Sequence, residues 1–523
     1  MTALQRVVES LNRVVWGIPA LILILAVGVW LSFGTGFVQV RRFGYAMSAI
    51  FKKLFSKKQT EVQGVSPFQA VCTALAATVG IGNIAGVAGA ISLGGPGAVF
   101  WMLISAVLGM ATKYAEVVLA VRYRRQGKNG YFGGPMYYIR DGLGDRWKPL
   151  ATAFCLFGVL AAAGVGNSAQ VSTVVTAMNS ALTAFDIPIS EGRNLAVGIA
   201  IGLLAAITLF GGAKRIGAVT ELLVPVMSVG YLLLSLGVLI VFRQRIPAAL
   251  ASILAGAFQP RAVTGGLVGS CFTAMRMGVA RGVFSNEAGM GTASIAHAGA
   301  ETNHPAEQGM YGIFEVFVDT VLICTMTALV ILTSGVPVPY GQEAGAELTV
   351  SAFTAAYGKW VTIFTALAMA SFAAATVLGW GLYGMRCAAF LWGHGAEKPF
   401  AMVHGLASVL GSVLGAGLVW QISELFNGLM AIPNLIALAL LSPEVFRLTK
   451  VYFTKEKIST GKTSAVPPDG ERGSYENFNQ CQPVPALSHA EVSSPGPGGG
   501  KTGKKDLSSE HRPAGHSHAP GVF

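Results

Sequence analysis

Four residues, Gly80-Ile81-Gly82-Asn83, interrupt a long apolar run with two glycines and an amide. Glycine weakens a helix by about 1 kcal/mol relative to alanine. Inside a bilayer, backbone that leaves the helix is tolerated only where protein or a water-filled cavity satisfies it. A half-helix N-terminus presents free N–H groups and partial positive charge, which suits a carboxylate. The carbonyls at a half-helix C-terminus suit a hard cation such as sodium. A zwitterionic amino acid plus a cation fits the two ends of one break. A second interruption is expected in "CFTAMRMGVARGVFSNEAGMGTASIAHA", residues 271–298, near Gly278 and Gly282, flanked by Arg276, Arg281, Asn286 and Glu287. Ionisable residues at membrane depth are costly and usually functional. Any single glycine has a plainer alternative role, since small-xxx-small spacing such as Gly82-xxx-Gly86 lets helices approach closely.

The elements that must hold these residues are membrane helices. The chain has 523 residues, 53% hydrophobic and 12% charged, with a mean hydropathy of +0.57. Soluble chains carry about 25% charged residues. Eleven apolar segments stand out, roughly 14–36, 66–92, 97–121, 149–182, 194–212, 217–242, 263–297, 309–335, 358–391, 400–420 and 424–442. Each is long and continuous, which fits helices and not the short alternating strands of a β-barrel. The run from Val15 to Phe33 is too long for a signal-peptide core and no A-x-A pattern follows it, so it reads as a retained transmembrane helix.

Setting that first helix aside leaves ten. The two interruptions then fall in the first helix of each half, residues 66–243 and 263–442, joined by an external connector at 244–262. Five helices per half place the halves in opposite orientations, and paired broken helices in inverted halves point to a transport site at the bilayer midplane. The expected fold is an all-α polytopic membrane protein of eleven transmembrane helices. It contains a ten-helix 5+5 inverted repeat with a discontinuous first helix in each repeat.

The formal net charge of +12 fits cytoplasmic loops rich in Lys and Arg. Basic grooves with interleaved aromatics are absent, which argues against nucleic acid. The basic loops after the first, third, fifth and eleventh segments share one side. That places the N-terminus outside, residues 1–65 as a helix plus basic cytoplasmic loop, and the C-terminus in the cytoplasm. A loop with Arg243, Arg245 and Arg261 disagrees. Residues 443–523, rich in Gly, Pro and Ser, are expected as a disordered cytoplasmic tail, with His516 and His518 solvated in it. Five cysteines (Cys72, Cys155, Cys271, Cys324, Cys387) lie in apolar segments without a CxxC pair and read as buried apolar residues. No GxSxG, P-loop or metal-ligand cluster is present, so neither an enzyme nor a cofactor is expected.

The stretches "ATVGIGNIAGVAGAISLGGPGAVFWM", "GGPMYYI", "FGGAKRIG", "FSNEAGMGTASIAHA", "IFEVFVDTVLICTMTALVIL" and "TVLGWGLYG" resemble the alanine/glycine:cation symporter family, also called sodium:alanine symporters. The resemblance covers roughly residues 60–445. It implies a leucine-transporter-like fold and sodium- or proton-coupled uptake of small amino acids. By motif it implies substrate contacts at Gly80, Gly82, Asn83, Gln170, Gly278, Gly282, Thr376 and Trp380. It implies cation contacts at Ala76, Thr78, Val79, Asn83 and Thr376. Asn167 lies near Gln170. Thr376 and Trp380 are one helical turn apart and share a face. The indole could attract a substrate ammonium by roughly 0.5–2 kcal/mol. Plainer roles exist: Gln170 as an interhelical hydrogen-bonding residue, Trp380 as core, and Thr376 bonded to a carbonyl of its own helix. Glu116, Glu221, Glu315 and Asp319 read as structural or gating acids, and Glu287 as a brace of the second break or an ion contact. The run Ser371-Phe372-Ala373-Ala374-Ala375-Thr376 has alanine where the family often has a hydroxyl, and Met385 stands where an acid is common.

The expected function is sodium-coupled symport of small neutral amino acids, such as alanine or glycine, across a plasma (bacterial inner) membrane by alternating access. The partners are the amino acid, Na+ or H+ and the lipid bilayer, with no nucleic acid and no obligatory protein partner. Proton-coupled or uncoupled transport, and a non-transporting amino-acid sensor, are the alternatives.

Overall fold

Long apolar runs punctuated by capping residues give a helical protein. A computed structural model of the chain describes residues 3–54, 64–127, 130–266, 268, 270–413 and 416–459. It opens with α1 (Ala3–Val15), α2 (Ile18–Gly34) and α3 (Phe43–Leu54). Then come α4 (Pro67–Thr78), α5 (Ala85–Gly94) and α6 (Gly97–Arg122). A small antiparallel ribbon follows, β1 (Arg125–Gly127) with β2 (Gly130–Phe132). The helices continue as α7 (Lys148–Ala163), α8 (Ala169–Thr183), α9 (Glu191–Phe210), α10 (Gly212–Val241) and α11 (Ile246–Phe258). Next are α12 (Cys271–Asn286), α13 (Thr292–His297), α14 (Pro305–Val316), α15 (Thr325–Ser334) and α16 (Ala346–Tyr357). The series ends with α17 (Val361–Trp392), α18 (Glu397–Val413) and α19 (Ala416–Ser459).

Among the described residues, eight helical stretches are long and apolar enough to cross a membrane. They are 6–34, 97–122, 145–183, 191–209, 212–241, 305–334, 361–392 and 424–454. The bent pair α4 and α5, at 58°, makes a ninth. Two of the eleven expected segments fall short of that test. Residues 263–297 divide into α12 and α13, and α12 carries Arg276, Arg281 and Asn286. Residues 400–413 lie in the 17-residue α18, and 416–420 already belong to α19.

Leu204 on α9 and Leu222 and Leu233 on α10 expose 59% or more of their surface. Apolar surface of that extent belongs against lipid. The opposite extreme is α4, where every residue from Ala70 to Thr78 is buried. A helix that is apolar all round belongs in a core. Its start is fixed by a capping box: Ser66 Oγ accepts the Gln69 N–H at 3.0 Å and Gln69 Oε1 accepts the Ser66 N–H at 3.1 Å. Pro67 sits at a helix start, where its missing N–H costs nothing. Small residues bring other helices together; a Cβ added at Gly405 of α18 would lie 3.0 Å from the Gly202 carbonyl of α9.

Residues 443–459 differ from the expected disordered tail. They continue α19, although Pro443 lies inside it. Val445 and Leu448, three apart, are fully buried, and the Tyr452 hydroxyl meets that of Tyr45 at 2.9 Å. That apolar face supplies the burial which the following Gly- and Pro-rich sequence lacks. The rest of the expected tail, from 460, with His516 and His518, lies outside the described residues.

Candidate functional site

The first break is where the amide and glycines predict it. Val79 leaves the helix with ψ of 92°, Gly80 is extended, and a short 3-10 turn, Ile81–Asn83, leads into α5. Asn83 shapes this turn: its Oδ1 accepts the Gly80 N–H at 2.8 Å. A Cβ at Gly80 would lie 2.6 Å from Thr376 Oγ1 and 3.6 Å from Gln170 Oε1. Glycine is therefore required by close approach, and α4, α8 and α17 converge on this point. Gln170 Nε2 donates to the Val165 carbonyl at 3.0 Å, in the π-helical stretch Gly164–Ser168. Its Oε1 is buried and has no hydrogen-bond partner among the described residues. Thr376 Oγ1 donates to the Phe372 carbonyl at 3.0 Å, so its proton serves its own helix.

Gly82 rests on the end of α12, 3.6 Å from Ser285 Cα to an added Cβ. Thr78 Oγ1 likewise bonds its own helix, at Ala74 O. Ala76 and Val79 are buried beside it, and α17 approaches so closely that a Cβ at Gly379 would lie 2.9 Å from Ala77 N. Asn167 faces elsewhere: it donates to His404 O at 2.6 Å and accepts from Ser408 Oγ at 2.7 Å, tying the start of α8 to α18.

The second break lies further along than predicted. The helix α12 runs uninterrupted through Gly278 and Gly282 to Asn286. Both glycines face α6; an added Cβ would lie 2.8 Å from Trp101 Cβ at Gly278 and 2.6 Å from Ser105 Oγ at Gly282. The chain turns instead at Glu287, Gly289 and Gly291, with φ of 54°, 96° and 80°, before α13 begins. The two helical glycines are one turn apart on one face, which is the spacing of a packing interface. Gly278→Leu should therefore destabilise the fold by about 1–3 kcal/mol through overpacking. A thermal-unfolding measurement on the purified variant should show a lower transition temperature.

The two breaks meet at Asp319, a fully buried acid on the π-helical stretch Phe317–Cys324. Asn83 Nδ2 donates to Asp319 Oδ1 at 2.7 Å and to its carbonyl at 3.1 Å. Ser285, in the last turn of α12, donates to Asp319 Oδ2 at 2.9 Å, and Thr320 Oγ1 does so at 2.7 Å. The sequence reads Asp319 as a structural or gating acid, and the structure sets it between Asn83 and Ser285. The signal was an acid inside "IFEVFVDTVLICT", yet the π-helical turn that aims it was not visible.

Two other acids, Glu116 and Glu287, brace the second break. Glu116 of α6 accepts the N–H groups of Gly289 and Gly291 at 2.9 and 3.0 Å, and Asn434 Nδ2 at 2.7 Å. Glu287 accepts Trp380 Nε1 at 3.0 Å and Thr292 Oγ1 at 2.5 Å. The indole N–H of Trp380 is thereby committed to protein, and what it can offer a ligand is its ring. Lys113 lies 3.4 Å from Glu315 and 3.9 Å from Glu116, all three buried, and His297 meets Glu315 at 3.1 Å. Glu221 accepts Gln69 Nε2 at 2.9 Å beside the start of α4. Arg281 pairs with Glu343 at 2.9 Å and Glu424 at 3.5 Å, while Arg276 is exposed.

The description of the sodium:alanine symporter family matches residues 1–466. The chain belongs to that family. This sodium:alanine symporter family member is thus an amino-acid transporter and not an enzyme, built as a multi-pass membrane protein. The sodium/alanine symporter AgcS of Methanococcus maripaludis is 42% identical over 451 residues, 85% of this chain and 96% of that protein. The probable sodium/glutamine symporter GlnT of Bacillus subtilis is 36% identical over 459 residues, 87% and 92% of the two chains. The crystal structure of MhsT in complex with L-phenylalanine superposes with a TM-score of 0.51 at 13% identity, covering 73% of this chain and 97% of that one. That likeness concerns the fold, which for this family member is the leucine-transporter-like one.

Proposed function

We propose that the chain takes up a small neutral amino acid, such as alanine or glycine, together with Na+. The observation that carries this reading is the Asn83–Asp319–Ser285 junction, which joins both breaks in one buried, oxygen-rich, negatively charged cluster. A hard monovalent cation offsets the carboxylate and takes its oxygens from Asn83 Oδ1, Ser285 Oγ and Asp319. The stretch Ala76–Val79 with Thr376, on facing elements, is the second candidate cation position. The Gly80–Gly82 backbone receives the substrate carboxylate, and Gln170 Oε1 is a buried acceptor suited to its ammonium. Crowding of Gly80 by Thr376 and Gln170 supports a small substrate.

In this reading the halves 66–243 and 263–442 form the 5+5 inverted repeat, with 244–262 as connector. Eleven spans put the N-terminus outside and the C-terminus in the cytoplasm. Alternating access moves the repeats around the fixed site. The single carboxylate of Asp319 also suits a proton, which makes H+ coupling the second reading.

Linkage makes the test direct, because a cation that raises amino-acid affinity has its own affinity raised equally. Equilibrium binding of labelled alanine to the purified protein should tighten about tenfold when sodium replaces choline. Binding indifferent to sodium, lithium and pH would contradict coupling through this site.

A further inference from the structure

Away from the two breaks, a cavity of about 660 Å³ opens between the end of α2, the turn after it and the last part of α19. Arg41, Arg42, Arg447 and Lys450 line it together with Phe33 and Phe446, and among the described residues no carboxylate does. The nearby Glu444 is shared by Arg447, at 2.7 and 2.8 Å, and Arg122, at 3.1 Å. Four cations thus line the cavity, and Arg447 is the one of them that contacts Glu444. Arg42 lies over the Phe453 ring at 4.4 Å, and Arg41 Nη1 makes only a long contact, 3.4 Å, to Gly36 O. Lys450 and Arg41 are exposed.

The local chain path explains the concentration of charge. Gly36 and Phe37 both adopt left-handed backbone, with φ of 65° and 55°. The resulting reversal ends α2 and starts the helical turn Val38–Arg41 beside α19. The cavity's depth in the membrane is marked by Trp30 and Phe33 of α2, which expose 56% and 66% of their surface. Trp30 packs on Phe446 with ring centroids 6.0 Å apart and donates to Ser442 Oγ at 2.9 Å. An exposed Trp such as Trp30 marks the interface between headgroups and hydrocarbon. A basic cavity at that level, with an apolar aromatic wall, matches a ligand that is anionic at one end and apolar at the other. Basic recesses between membrane helices are suited to anionic lipid headgroups.

We propose that this cavity binds an anionic phospholipid. Its phosphate lies among Arg41, Arg42 and Lys450, and its acyl chains run along Trp30 and Phe33. The lipid bridges α2, outside the ten-helix repeat, to the last helix. The site involves none of the residues at the breaks, so its fate is independent of the transported substrate.

Native mass spectrometry of the full-length protein in detergent tests this, titrating phosphatidylglycerol and phosphatidylethanolamine with identical acyl chains. The wild type should retain phosphatidylglycerol at least about tenfold more tightly. The surface variant R41Q/K450Q should lose about 30-fold in phosphatidylglycerol affinity, from about 1 kcal/mol per basic residue, with phosphatidylethanolamine binding and thermal stability unchanged. Inorganic phosphate should not displace the lipid, and deleting residues 460–523 should leave lipid binding as it is. Equal retention of the two lipids, or wild-type affinity in R41Q/K450Q, overturns the proposal. Displacement by phosphate assigns the cavity to a free anion, and tighter lipid binding after the deletion assigns it to the chain's own C-terminal segment; either result overturns it as well.

Discussion

Asn83→Ala lowers alanine uptake in proteoliposomes by at least about 100-fold while the protein still inserts and purifies. The magnitude follows from what the carboxamide holds. Its Oδ1 fixes the Gly80 N–H at 2.8 Å, and its Nδ2 fixes Asp319 at 2.7 Å. Truncation leaves a buried N–H and a buried carboxylate each short of a partner. Each costs about 1–3 kcal/mol, more for the charged group, and two such losses, about 2–6 kcal/mol together, reach the roughly 2.7 kcal/mol of a 100-fold effect. The lost bonds lie within one turn and its junction with Asp319, so the bulk of the helix packing is untouched. Asn83→Asp keeps the size but replaces the donor that faces Asp319 with a second carboxylate, and it should be equally inactive. Uptake near wild type in either variant removes Asn83 from the site.

Asp319→Asn has the second large effect, and it separates the cation from the amino acid. The substitution keeps the shape and one acceptor oxygen but removes the negative charge that, among the described residues, touches both breaks. A hydrogen bond to a charged group contributes about 1.5–3 kcal/mol, roughly twice a neutral one, so the sodium concentration for half-maximal alanine binding should rise by about tenfold. At saturating sodium, alanine binding should persist. Unchanged sodium half-saturation in Asp319→Asn would place the cation elsewhere, with Thr376 and the Ala76–Val79 stretch as the next position to test.

These predictions rest on features that were unequally legible in the sequence. The first break was readable because two glycines and an amide in an apolar run leave few structural options. Gly80 then proved necessary for a reason no pattern shows, the approach of Thr376 from α17. The second break was misplaced by five or more residues. Gly278 and Gly282 carry the same local signal as a break, and only the neighbouring α6 reveals them as contact points. The true turn was encoded in Glu287-Ala288-Gly289-Met290-Gly291, with Glu116 supplying an acceptor from 173 and 175 residues away. Long-range partners of that kind also hid Asp319, whose meaning depends on Asn83 and Ser285 arriving from two other helices. The commitment of the Trp380 indole N–H to Glu287, 93 residues away, is likewise invisible to local pattern. The last helix outran its expected end because Val445 and Leu448 find burial that composition averaged over the Gly-rich tail obscures.

Uptake of labelled alanine into proteoliposomes of the full-length protein, with sodium, lithium and proton gradients imposed separately, probes the coupled symport itself. An inward sodium gradient should drive alanine above its external concentration, and collapsing that gradient should release it. Alanine entry that stops at equal concentrations on both sides under every imposed gradient would contradict coupled transport, and accumulation with a proton gradient alone would contradict the choice of sodium.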